Sequence, residues 1–412
     1  MGFQQGLSGL NAASKNLDVI GHNIANSNTT GFKASRAEFA EMVASAIGAA
    51  GGSNAGIGVE VAAVAQQFSQ GNITITGNTL DVAINGSGFF MLQQPDGSSA
   101  YTRAGNFKLD KDGDLKTNSG ATVLGFPIDP ATGKPTAGSP RPLVFPTGAP
   151  IPAKQTEKAK ITFNLDARAV EAATATPPTP RATYGTSITA YDSQGVPQPV
   201  SFYFVKTGNP NEWEMYTTLD ETLQPPGSPV GTITFDGNGK IISGGSFGMN
   251  ISTAPANPNS PIPGPDFVVN FDFSDSTQYG TKWAVSESTQ DGYTAGQLTG
   301  INIGTDGTIL TRYSNGVTRP EGVVSLATFR NTQGLSDIGN NLWVETYESG
   351  QPTVGQPTNG AFGQLRSGAL EDSNVDLTAE LVNMMTAQRT YQANAQTIKT
   401  QDQVLSTLVN LR

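Results

Sequence analysis

Two narrow apolar stripes, one at each end of the chain, frame a long middle section whose hydrophobic period is two. In the stretch 375–412, Leu377, Leu381, Met384, Gln388, Tyr391, Ala395, Ile398, Asp402, Leu405 and Val409 recur in alternating steps of four and three. That spacing brings side chains onto one face of an α-helix. Neither Gly nor Pro interrupts the stretch, and Asn374 or Asp376 supplies a side-chain oxygen to cap its first turn. At about 1.5 Å per residue the helix would be roughly 50 Å long, more than an ordinary compact domain covers. Phe3, Leu7, Leu10, Ser14, Leu17, Gly21 and Ile24 repeat the same steps at the other end, so the two stripes are expected to be packing partners.

After Ile24 the run from Gly21 to Lys33 is rich in Asn, Ser and Thr, whose side chains compete with backbone bonding, and Gly31 permits a positive φ. A turn is expected there. Phe39, Met42, Val43, Ala46 and Ile47 read as a short amphipathic piece, followed by a flexible loop from Gly48 to Gly58. From about Val59 the period becomes two. Leu80, Val82 and Ile84 alternate, the run from Gly88 to Leu92 is a buried strand, and Tyr101–Leu109 leads into a turn at Lys111-Asp112-Gly113. Pro, Gly and Thr dominate residues 127–152, which places a domain boundary near Phe145, and the Pro-rich run 174–180 reads as an exposed loop. Strong strand patterns then follow at 200–205, 213–219 and 232–235, with Phe267, Val269, Phe271 and Phe273 alternating against Val268, Asn270 and Asp272. Further strand and turn units run from Ile301 to Tyr347.

Composition narrows the function classes more than the fold. The chain has 412 residues, 24 basic against 34 acidic, for a net charge of -10, and no basic run; this argues against a nucleic-acid or anionic-membrane surface. Zero cysteines exclude disulfides, thiolate metal sites and cysteine nucleophiles. No apolar run approaches the roughly 20 residues of a membrane span, and no Sec-type signal pattern opens the chain.

The candidate chemistry is thin. Gly244-Gly245-Ser246-Phe247-Gly248 fits a nucleophile-elbow pattern, but its base histidine should follow, and the only histidine is His22. A Gly-rich turn is the expected reading. Asp110-Lys111-Asp112-Gly113-Asp114 begins like a calcium loop, yet Leu115 stands at the sixth position and Ala121 at the twelfth, so a hairpin turn is expected. His22 lacks a Cys or second His as co-ligand and is expected to be an interface or satisfied polar residue. No catalytic, cofactor-binding or metal-binding residue is therefore expected. The middle section has enough apolar and aromatic residues to fill its own core, whereas each terminal stripe is too narrow to offset the ordering of its helix alone. Packing between many subunits would cover both.

The run Leu7–Ala13, the run Leu17–Asn26 and Thr30-Gly31-Phe32-Lys33 resemble the N-terminal signature of bacterial flagellar rod, hook and hook-associated proteins. Ser367–Leu377, the run Glu380–Met384 and the run Gln388–Ile398 resemble the C-terminal signature of the flagellar hook protein family. Leu80–Ile84, Gly88-Phe89-Phe90, Tyr101-Thr102-Arg103, Phe107–Asp110, Tyr191–Gly195 and Tyr203–Lys206 extend the likeness along most of the chain. His22 stands where many relatives carry Asn. The resemblance implies an α+β, mostly β fold with long helices from both termini forming an inner coiled-coil-like domain (1–70 and 370–412). A middle β domain (71–145 and 285–369) and an inserted outer β-barrel or sandwich-like domain (146–284) follow.

The same resemblance implies a structural protein, not an enzyme, that assembles with copies of itself into a curved helical tube outside the cell, a flexible joint between motor and filament. Leu7, Leu10, Leu17, Ile24, Leu381, Met384, Tyr391, Ile398 and Leu405 would pack the subunits, and Asn26, Thr30, Gly31, Phe32 and Lys33 would form the connecting segment. Implied partners are the distal rod protein, the hook cap, the hook-filament junction proteins and the flagellar type III export apparatus, without nucleic acid, membrane insertion or cofactor. A distal rod or hook-associated protein is the alternative, and a secreted β-domain adhesin a more remote one; the central insertion favours the hook.

Overall fold

The computed structural model describes residues 2–43, 56–129, 133–136, 138–145, 148, 150–171, 183–219, 222–224, 228–251 and 266–410. The chain is mostly β with one long helix at each end: α1 spans Gly2–Ala25 and α2 spans Leu377–Asn410. It divides into two compact units, Met1–Gly148 with Gly300–Arg312 and Thr318–Arg412, and Ala149–Thr299 with Tyr313–Val317.

In the first unit α2 starts at a side-chain cap. Oδ1 of Asp376 accepts from the backbone N–H groups of Thr378 at 2.9 Å and Ala379 at 3.1 Å, satisfying two donors that the helix itself cannot. Asn374, the other candidate cap, is used elsewhere. α1 ends where Asn26 turns its backbone N–H and its side-chain amide back to the carbonyl of His22.

The chain then forms an antiparallel hairpin of β1 (Ser35–Val43) and β2 (Gly56–Gln66), with irregularities at Glu38/Phe39 and Met42/Val43. This corrects the expectation for Phe39, Met42 and Val43, which lie on a strand. The run Arg36–Met42 alternates only with a one-residue slip at Phe39-Ala40, beside the irregularity at Glu38/Phe39, so helical spacing reads more cleanly and the long partner strand decides otherwise. Ala46, Ile47 and most of the expected loop at 48–58 lie outside the described residues; its last residues, 56–58, belong to β2. The Pro-rich run 174–180 also lies outside them.

The β part of this unit is built from both sides of the insertion. Strands Thr318–Val324, Thr122–Pro127, Phe89–Gln93, Ser99–Thr102, Leu342–Val344 and Ser336–Gly339 follow one another across a sheet. Two short pairs tie its start to its end: Val82–Asn85 with Gln364–Ser367, and Ile73–Ile75 with Ala369–Glu371. Phe89, Tyr101, Ala327 and Trp343 are buried together, with Phe68 and Phe329 edge-on to the aromatic rings.

The second unit has two sheets over one core. Ser246–Ile251, Phe267–Asp272, Lys158–Asp166, Thr277–Tyr279 and Ala284–Gln290 make one; Tyr184–Tyr191, Pro197–Lys206, Glu212–Leu219, Gly231–Phe235, Ile241–Ser243 and Thr222–Gln224 make the other. Alternation along the strands sends Ile161, Phe163, Leu165, Val269 and Phe271 from the first sheet, and Phe202, Phe204, Trp213, Met215 and Ile233 from the second, into a shared interior. Among the described residues neither sheet closes into a barrel.

Candidate functional site

Where the two terminal helices meet, side chains are small. A Cβ placed on Gly6 would stand 3.1 Å from Cγ1 of Ile398, and one on Gly9 would stand 2.9 Å from Nδ2 of Asn394. Ala12, Ala13 and Ile20 of α1 and Ala387 of α2 are buried along the same line. The absence of bulk lets the backbones approach closely, but it also leaves most of the large apolar residues elsewhere on the helices.

Leu7 is 44% exposed, Leu381 47% and Leu405 53%, and Phe3, Leu377, Val382, Met385, Tyr391 and Val404 are exposed with them. Of the seam residues expected from the sequence, Leu10, Leu17, Ile24, Met384 and Ile398 are half-buried, while Leu7, Leu381, Tyr391 and Leu405 face outward. The structure thus brings the helices together on a face next to the leucine stripe. The signal for it was present in the chain: Gly6, Gly9, Ala13, Asn16 and Ile20 also step by three and four. Scattered single apolar residues on a surface are ordinary, whereas this many on two adjacent helices are not.

α1 is also tied to the hairpin. Oγ of Ser8 accepts from the backbone N–H of Val59 at 3.3 Å. The amide of Asn23 closes a two-way bridge with Ser35, donating to its carbonyl and accepting from its N–H, both at 2.8 Å.

Below the helices lies a buried polar joint. Nζ of Lys33 is 2.6 Å from Oε1 of Glu371 and donates at 2.8 Å to the carbonyl of Ser69. Nη1 of Arg103 is 3.3 Å from the other carboxylate oxygen, and the N–H of Gly71 donates to Oε1 at 3.0 Å. Burial depresses the Lys33 ammonium below its ordinary value, and the attraction of Glu371 opposes that shift. Burial likewise lowers Arg103, whose guanidinium lies over the Phe89 ring. Asn374 completes the joint: its Oδ1 accepts from Ala34 N–H at 2.7 Å and its Nδ2 donates to the carbonyl of Gln67 at 2.7 Å.

Of the residues expected in the connecting segment, Gly31, Phe32 and Lys33 contact this joint, while Asn26 and Thr30 bond elsewhere. Asn26 closes α1, and the Thr30 carbonyl accepts from Asn341. Gly31 donates to the Glu371 carbonyl at 2.8 Å; its φ is 70°, and a Cβ there would reach within 2.6 Å of the Ala104 nitrogen. Phe32 is buried with its ring 5.4 Å from that of His22. Arg103, Glu371 and Asn374 were not singled out from the sequence as partners of this segment, because nothing local links residues about 70 to 340 positions apart.

The other candidate chemistry resolves into structure. Gly244, at φ 77°, turns the chain from one sheet of the second unit into the other, and its Cβ would strike the Thr232 carbonyl. At Asp110–Asp114, Lys108–Leu109 pairs with Leu115–Lys116 across a tight turn, and Nζ of Lys116 sits 2.8 Å from Asp110 and 3.2 Å from Asp114. A lysine ammonium stands among those carboxylates. Among the described residues no group of three or more His, Asp or Glu side chains is placed to hold a metal ion, and no helix is long and apolar enough to cross a membrane.

Comparison with known proteins places the two helices, and Lys33, Arg103, Glu371 and Asn374 of the joint, inside matched regions. Four family models match: flagella basal body rod protein over residues 3–33, flagellar hook protein FlgE/F/G D1 domain over 83–170, flagellar basal body protein FlaE D2 domain over 164–293, and flagellar basal body rod FlgEFG protein C-terminal over 366–411. The chain is similar to the flagellar hook protein FlgE of Salmonella typhimurium, 43% identical over 430 residues covering 100% of both chains. It is similar to that of Escherichia coli, again 43% identical, over 428 residues and 100% of both. Among solved structures it resembles the flagellar hook protein FlgE2 of Helicobacter pylori at a TM-score of 0.52 and 16% identity, over 72% of this chain and 100% of that one; this likeness concerns the fold.

Proposed function

The chain belongs to the flagellar hook protein FlgE family, a structural component of the bacterial flagellum and not an enzyme, and from that premise we propose how it builds its polymer. Copies associate by heterologous contacts that do not close into a ring and so extend into a helical tube. The terminal segments 1–70 and 370–412 form the inner, coiled-coil-like layer, with Leu7, Leu10, Leu17, Ile24, Leu381, Met384, Tyr391, Ile398 and Leu405 packing between subunits. Residues 71–145 with 285–369 form the next layer, and residues 146–284 the outer one.

The observation that carries this reading is the division of labour in burial. Each β unit owns a filled core, whereas the two helices meet along a line of mostly small residues and leave many of their large apolar residues, Leu7, Leu381 and Leu405 among them, exposed. Burying a Leu contributes about 1.5–3 kcal/mol, so a face of this kind gains from a neighbouring copy what the single chain does not supply.

A curved tube of such subunits serves as a flexible joint between rod and filament if the inner seams stay paired while the outer units slide. The partners at its ends are the distal rod protein, the hook cap and the hook-filament junction proteins, and the flagellar type III apparatus exports the chain with its ends unfolded. The test is electron microscopy of the purified full chain beside a version lacking 1–70 and 371–412. Curved tubes from the full chain alone are expected. Tubes from both would remove the terminal segments from the mechanism, and protease-resistant ends in a non-assembling monomer would mean the helices are complete without neighbours.

A further inference from the structure

Tyr347 stands entirely in solvent, at a relative exposure of 102%, although the turn that carries it is held firmly. Oγ1 of Thr346 donates to the carbonyl of Gly334 at 2.5 Å, and Oγ of the buried Ser349 donates to the carbonyl of Thr346 at 2.9 Å. From the next segment Nδ2 of Asn331 donates to the carbonyl of Glu348 at 3.2 Å, and a Cβ on Gly334 would come within 2.4 Å of the Ser349 nitrogen. A whole phenol ring is thus displayed on a fixed base. Large aromatic side chains on ordered backbone make effective anchors, since they bury much area while losing little conformational freedom.

We infer that Tyr347 is an assembly anchor that inserts into an amide-lined groove on a second copy of this chain. That inference rests on the polymer reading above. Tyr347 is followed by the exposed Glu348, while Oε2 of Glu345 accepts from the hydroxyl of the buried Tyr101 at 3.1 Å, so the receptor should present neutral donors and no free carboxylate. A groove of about 530 Å³ offers such donors at Asn106, Asn118, Ser119 and Asn340; His22 also lines it, and the amides of Asn26 and Asn341 there already donate to the carbonyls of His22 and Thr30. Its one carboxylate, Asp337, is occupied by the N–H of Gly339 and the amide of Gln66, both at 2.8 Å. Side-chain amides and hydroxyls can pair with a phenol oxygen and with the carboxylate of Glu348. Tyr347 is not among the residues that line the groove, and a knob and a separate groove on one chain are the condition for a heterologous contact that propagates.

The chain has no cysteine, so engineered thiols report only the positions chosen. The double variant Tyr347→Cys with Ser119→Cys, assembled and treated with a bismaleimide, should give a ladder of covalent oligomers, and neither single variant should. If the double variant does not assemble alone, it is copolymerised with excess wild-type chain and crosslinked dimers are expected from the mixed tubes. Tyr347→Ala should slow tube growth by about tenfold or more at unchanged monomer fold. Tubes that give no crosslink, or that grow at the wild-type rate with Tyr347→Ala, overturn this contact. Absence of tubes from the wild-type chain would instead overturn the polymer reading, and this inference with it.

Discussion

The ammonium of Lys33 lies 2.6 Å from Oε1 of Glu371, 338 positions further along the chain, and solvent reaches neither side chain. The pair joins the turn after α1 to the strand that precedes α2, so both helices leave the β domain from one fixed point. Arg103 adds a second cation to the same carboxylate. Removing one partner of a buried pair is costly because the other charge stays buried alone.

That asymmetry orders two substitutions. Glu371→Gln strands two cations and should cost about 3–5 kcal/mol. Lys33→Met leaves Arg103 to neutralise Glu371 and should cost less. Denaturant unfolding followed at buried Trp343 would measure both. Equal losses would mean that Arg103 contributes nothing to holding the carboxylate.

Two glycines of α1 should behave in opposite ways. A valine at Gly9 would push its branches into Asn394, which already meets the bare Cβ position at 2.9 Å, and should part the helices. Gly21 has nothing within 4 Å of its Cβ position, so alanine there should stabilise the helix by about 0.5–1 kcal/mol. Helical circular dichroism during thermal unfolding separates the two effects. Loss of helix stability with Gly21→Ala would show that this face is covered.

The contrast shows how much of the molecule the sequence announces. The helices are legible because their stripes repeat over many turns, and Phe267, Val269 and Phe271 are legible as a strand because their neighbours are polar or exposed. Two features resist. The contact face between α1 and α2 carries Gly and Ala, whose hydrophobic signal is weak beside that of the adjacent leucines, although it decides how closely the backbones approach. The Lys33–Glu371 pair is invisible for another reason: sequence periodicity records faces of one element, and these residues meet only through the chain's return from the insertion. Phe39–Val43 misleads because its apolar positions keep helical spacing while irregularities at Glu38/Phe39 and Met42/Val43 break the strand alternation, and only its pairing with β2 makes it a strand.

In the second unit, Arg168 holds Asp166 in a two-point contact at 3.0 and 2.9 Å. Those hydrogen bonds, with the Arg168 backbone N–H, lower the Asp166 carboxyl from 3.8 to about 2. A depressed carboxylate contributes stability that is complete above its unfolded value and disappears as pH falls through its folded value. Asp166→Asn should therefore lower stability at pH 5, and the difference from wild type should shrink between about pH 4 and 2. Thermal unfolding followed at Trp213, in the core of this unit, is the measurement. A difference that stays constant over that range would show that the contact is not electrostatic.

The exposed helix face yields a prediction that separates folding from assembly. Replacing Leu7, Leu381 and Leu405 together by serine removes apolar groups that water already reaches in the single chain, so the unfolding free energy of the monomer should move by no more than about 0.5 kcal/mol per site. The same groups would be buried between copies, at about 1.5–3 kcal/mol each, and a polymer repeats that loss at every subunit. Tubes should therefore fail to form at concentrations where the wild-type chain assembles, as read by light scattering and microscopy. If the triple variant unfolds early, the face is covered within one chain; if it assembles normally, the contacts between subunits lie elsewhere on the helices.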